Sequence, residues 1–93
     1  MIKHVVLCKV KPNSPIKEIK EKIEHLKHEI DVIKSIEVGI DIGFDKNPSD
    51  FCIITQVDNI KDLEIYANHP KHLEVIEFLK NYLTERRAVD FEV

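Results

Sequence analysis

His4, Tyr66, His69 and His72 are the residues whose types and placement suit chemistry. His4 stands inside the apolar run Ile2-Lys3-His4-Val5-Val6-Leu7-Cys8, where an imidazole removed from water needs a hydrogen-bond partner. It reads equally as a satisfied core histidine and as an active-site one. The other three belong to Tyr66-Ala67-Asn68-His69-Pro70-Lys71-His72, a stretch in which polar groups converge on a helix break. Pro70 at a first helical position makes His69 a cap or pre-cap residue and puts His72 on the first turn, so their rings need not face the same way. A neutral imidazole takes up a proton near neutral pH, and a tyrosine hydroxyl can donate to a developing oxyanion. The plainer reading is helix capping plus a tyrosine hydrogen bond. Two histidines with no definite third ligand make a weak metal site, so no metal is expected.

The elements that must position these residues follow from periodicity. Ile2 to Val10 is rich in β-branched residues and ends at Lys11-Pro12-Asn13, which predicts a strand. Alternation puts Ile2, His4, Val6, Cys8 and Val10 on one face and Lys3, Val5, Leu7 and Lys9 on the other, so both faces carry apolar residues and both need a cover. Ser14-Pro15 predicts a helix capped by the serine oxygen. Ile16, Ile19, Ile23, Leu26 and Ile30 then form its buried stripe, with lysines and glutamates outside and His25 and His28 beside the stripe as surface residues. Ser35 to Ile42 alternates as a second strand, and Gly43 to Asp50 is a turn leading into a third, Phe51 to Val57. Asp58 or Asn59 caps a short helix carrying Ile60, Leu63 and Tyr66. Pro70 restarts a third helix whose apolar face includes Leu73, Ile76 and Leu79 or Leu83, with Phe78 and Tyr82. A last strand runs from Ala88 to Val93.

The order β-α-β-β-α-α-β is a split β-α-β arrangement, an α+β fold whose four-stranded antiparallel sheet has helices on one face only. The opposite parity of the first strand, Val5 and Leu7, is then most simply covered by the same sheet of a second chain, which predicts a twofold homodimer.

Composition bounds the rest. Ninety-three residues that are 43% hydrophobic and 33% charged suit one folded domain spanning 1–93. A formal charge of −3, from 14 basic and 17 acidic residues, offers no cationic excess for nucleic acid. The two glycines open no helix, which removes nucleotide-binding fingerprints. Cys8 and Cys52 have neither a redox spacing nor the number for a secreted disulfide framework, so reduced thiols are expected. With no apolar run of membrane-spanning length and no signal-peptide pattern, no membrane association is expected and the cytoplasm is the expected location.

Ile2-Lys3-His4-Val5-Val6-Leu7-Cys8-Lys9-Val10-Lys11-Pro12, Ile36-Glu37-Val38-Gly39, the Tyr66 to His72 stretch and Val89-Asp90-Phe91 together resemble the stress-responsive A/B barrel (Dabb) family over nearly the whole chain. That resemblance implies a ferredoxin-like monomer, two of which form a dimeric α/β barrel. One branch of the family consists of plant polyketide cyclases, in which residues matching Tyr66 and His72 promote an aldol condensation and one matching His4 lines the cavity. His-Pro-x-His and the strand-one histidine are general to the family, so they do not single out that branch. Here the many aliphatic residues facing the helices point to a pocket small for a long-tailed polyketide. The expectation is a small pocket lined by His4, Tyr66, His69 and His72. It would take a small apolar or carbonyl-containing ligand, with no cofactor and with His4, Tyr66 and His72 as the catalytic set. The alternatives are a structural or stress-associated dimer without a substrate and, by analogy with a cousin fold, a cofactor-free monooxygenase.

Overall fold

β1, Ile2–Val10, becomes an interior strand because both of its parities carry apolar residues and its backbone can be paired on both sides. A computed structural model describes all of residues 1–93. It consists of β1, α1 (Ile16–Glu29), β2 (Ser35–Ile40), β3 (Phe51–Val57), α2 (Ile60–Asn68), α3 (Pro70–Leu79) and β4 (Leu83–Glu92). The sheet order is β2-β3-β1-β4, with every neighbouring pair antiparallel. This is the ferredoxin-like α+β arrangement expected from the sequence.

Register decides which residues share a face. Ile2, His4, Val6 and Cys8 oppose Val57, Thr55, Ile53 and Phe51 on β3, and they oppose Glu92, Asp90, Ala88 and Arg86 on β4. This is the helix-covered side. Ile19 and Ile23 of α1 pack there with Val6, Cys8, Val38, Phe51, Ile53 and Leu79. A second cluster joins Leu26, Ile30, Ile33 and Tyr66. The inward orientation of His4, and the opposite orientation of Val5 and Leu7, are as the alternation predicts. On the far side Leu7, Val89 and Phe91 are 45%, 57% and 42% exposed, an apolar sheet face that the chain's own helices do not reach.

Four boundaries differ from the sequence reading. Ser14 does not cap α1: its hydroxyl donates to the Lys11 carbonyl, Asn13 takes a left-handed conformation, and Pro15 occupies the cap position without a side-chain bond. β2 stops at Ile40 and not Ile42, because the Asp41 carboxylate accepts from the Gly43 amide and turns the chain away. That leaves Ile42 and Phe44 almost wholly exposed. α3 ends at Leu79, and β4 starts five residues earlier than the apolar pattern suggested, with Leu83 opposite Val10. Tyr82 and Leu83 therefore leave the helix; Thr84-Glu85-Arg86-Arg87 pairs as a strand without any apolar alternation, as charged residues commonly do on an edge. Asn59, by contrast, accepts from the Asp62 amide as the α2 cap, one of the two residues proposed for that role.

Phe51 is 2% exposed at the centre of the larger cluster. Truncation by Phe51→Ala is expected to lower unfolding free energy by about 3–5 kcal/mol, measured by urea denaturation. That is a large part of the roughly 5–15 kcal/mol that holds a small domain together.

Candidate functional site

Three elements bring the predicted residues together. β1 carries His4 on its helix-covered face, the last two turns of α2 carry Tyr66, and the first turn of α3 carries His72. The reversal between the helices depends on His69 and Pro70. His69 is extended and serves at once as the C-cap of α2 and the N-cap of α3, where its Nδ1 accepts from the Lys71 amide at 3.1 Å. Proline at the first helical position then costs no hydrogen bond.

The reversal lays the His72 ring against Tyr66, with centroids 4.4 Å apart, and the His4 ring meets Tyr66 edge-on at 6.2 Å. All three side chains line one cavity of about 310 Å³, whose other walls include Val6, Ile53, Ile76 and Leu79. His69, expected as a ligand contact, is not among the lining side chains. Its ring is taken up by capping.

Each polar group has a partner that fixes its role. His72 Nδ1 lies 3.0 Å from the Ala67 carbonyl, which can only accept; Nδ1 therefore carries the proton and Nε2 keeps its lone pair. Burial is the chief reason that the His72 pKa is lowered. The Ala67 bond opposes this, and the charges of His4, Arg86 and His69 add to it. Tyr66 is 3% exposed, and its hydroxyl accepts from the fully buried Thr55 hydroxyl at 3.4 Å, so its own proton is free to be donated elsewhere. Burial raises the Tyr66 pKa, with Thr55 and Arg86 pulling the other way, and the ring stays a proton donor at neutral pH. His4 donates from Nδ1 to the Asp90 carboxylate, a pairing that orients the imidazole. Cys8 also lines the cavity. Burial pushes its thiol up to about 11, with smaller effects from Arg86 and Cys52, so it is a small apolar wall and not a nucleophile.

Asp90, Lys80 and Arg86 escaped the sequence reading. Asp90 was named only within the Val89-Asp90-Phe91 stretch of the last strand, with no role at the site, and Arg86 fell in a charged stretch assigned to no element. The available signal was the register itself: pairing the first strand with the last end to end sets position 4 against 90 and position 8 against 86. No group of three His, Cys, Asp or Glu side chains is arranged to hold a metal ion. No helix is long and apolar enough to cross a membrane.

The fold has many solved relatives. A dimeric protein of ferredoxin-like fold from Bacteroides fragilis is 32% identical, with a TM-score of 0.85 over 99% of this chain and 95% of that one. A Dabb family protein from Mesorhizobium loti is 18% identical, with a TM-score of 0.83 over 99% and 95%. The hydroxynitrile lyase of Passiflora edulis is 15% identical, with a TM-score of 0.87 over 99% and 92%, so enzymes occur on this fold. Among curated proteins none matches this chain significantly in sequence. The sequence profile of the stress responsive A/B barrel domain matches residues 2–93. With the profile spanning practically every residue, and with the element order and sheet register that such a fold requires, the chain belongs to the stress responsive A/B barrel domain family.

Proposed function

We propose that this protein is a homodimer whose cavity binds a small apolar carbonyl compound and catalyses acid-base chemistry at the carbon beside the carbonyl, of the kind that leads to aldol closure or its reversal. The observation that carries this reading is the packing of the His72 imidazole on Tyr66, with Nδ1 tied to the Ala67 carbonyl and both rings lining apolar walls.

The roles follow from the tautomer. His72 Nε2 removes the proton, and Tyr66 O–H donates to the enolate oxygen as charge develops there. His4, held by Asp90, orients the substrate or a water. The lowered His72 pKa keeps the base neutral, and the raised Tyr66 pKa keeps the donor protonated. Dimerisation is supported by the uncovered apolar sheet face and by the dimeric Bacteroides fragilis relative.

The test needs no knowledge of the natural substrate. Methyl levulinate, an uncharged small ketone, incubated with the protein in heavy water should exchange the protons beside its ketone faster than in buffer, as followed by NMR. Tyr66→Phe should slow that exchange by about 10²-fold or more, the usual effect of losing one oxyanion donor. Exchange no faster than in buffer would leave a dimer in which these side chains only cap and pack.

A further inference from the structure

The cavity lining is one-sided in charge. The chain holds 17 acidic residues against 14 basic ones, yet no Asp or Glu lines the cavity, whereas Lys80 and Arg86 both do. Lys80 is engaged by Glu77 at 3.0 Å. Arg86 enters none of the chain's ion pairs. Its position is set by register: it stands opposite Cys8 on the helix-covered face, while Arg87 opposes Leu7 on the other. His4 lies four residues away along β1, about 13 Å at roughly 3.3 Å per residue, a gap that the long arginine side chain shortens.

The cavity thus joins two kinds of polar group with aliphatic walls. The planar Arg86 guanidinium offers a fork of donors that matches a carboxylate in charge and geometry. Beside one another stand the Tyr66 ring and the two imidazoles. Its volume of about 310 Å³ corresponds to about ten water-sized groups at about 30 Å³ each, the bulk of a short-chain acid.

We infer that the cavity takes a short oxo acid, its carboxylate received by Arg86 and its ketone, several bonds away, presented to Tyr66 and His72. The ketone end rests on the acid-base reading above; the anionic end is added by Arg86. Seated there, the guanidinium also favours an oxyanion at the reacting end, since its charge acts on both Tyr66 and His72.

NMR titration with levulinate and with its uncharged ester, methyl levulinate, tests this. The native protein should bind the acid at least tenfold more tightly than the ester. Arg86→Gln should erase the preference by weakening binding of the acid, and Arg86→Lys, which keeps the charge but not the fork, should retain part of it. The native preference and the lysine variant decide the matter even if the glutamine variant does not fold. Equal affinity for acid and ester, or a preference that survives Arg86→Gln, overturns the inference and leaves the acid-base reading standing whenever the ester still exchanges its protons. Failure of both compounds to bind overturns the two together.

Discussion

His72→Ala is expected to slow ketone proton exchange by about 10²–10⁴-fold, the range associated with a positioned general base. Circular dichroism should be unchanged, because His72 lies at the cavity wall and not within either apolar cluster. The pH profile carries the sharper signature. Only the neutral imidazole accepts a proton, and burial lowers the His72 pKa below the usual imidazole value of about 6.5. The native rate should therefore be level at neutral pH and fall only on acidification beyond that value. Stability follows the same group. Below about pH 6.5 the unfolded chain binds a proton at His72 more readily than the folded one, so folding free energy declines as pH drops toward the lowered folded value. His72→Ala should remove that part of the acid sensitivity, read from urea midpoints across pH. An exchange rate that is unaltered in the variant would refute the role assigned to this ring.

Leu7→Asp is expected to convert the proposed dimer into a monomer. Leu7 lies on the uncovered sheet face near Val5 and Val89, away from α1, so the change leaves both apolar clusters of the protomer untouched. In a twofold sheet-on-sheet interface the substitution enters twice. The carboxylate must lose its water, a cost that the Arg87 guanidinium directly opposite offsets only in part, so the dissociation constant should rise about tenfold or more. Sedimentation at matched concentrations reads this directly. A native chain that sediments as a single protomer at high concentration would remove the dimer from the proposal, and a Leu7→Asp chain that stays dimeric would move the interface elsewhere.

The contrast between the first strand and the last shows why some of this was legible in sequence and some was not. β1 displays its alternation openly, so the inward His4 and outward Leu7 follow from counting by two. β4 carries Glu85, Arg86 and Arg87 where a strand ordinarily shows hydrophobic alternation; only pairing with β1 makes it a strand, and only that pairing brings Asp90 to His4. The Ser14 cap was a reasonable local inference that a competing local bond to Lys11 defeated. His69 was read both as a cap and as a ligand contact, and its Nδ1 caps α3.

The sequence by itself determined the order of elements, the stripe of α1, the break at Pro70 and the identity of the three chemically apt residues, because each is written in spacing between near neighbours. Which nitrogen of His72 carries the proton, which carboxylate holds His4 and which arginine faces the cavity were decided by contacts across the sheet or between successive helices. Such contacts depend on strand register and helix placement, and a shift of one residue in register would have turned Arg86 and Asp90 to the other face.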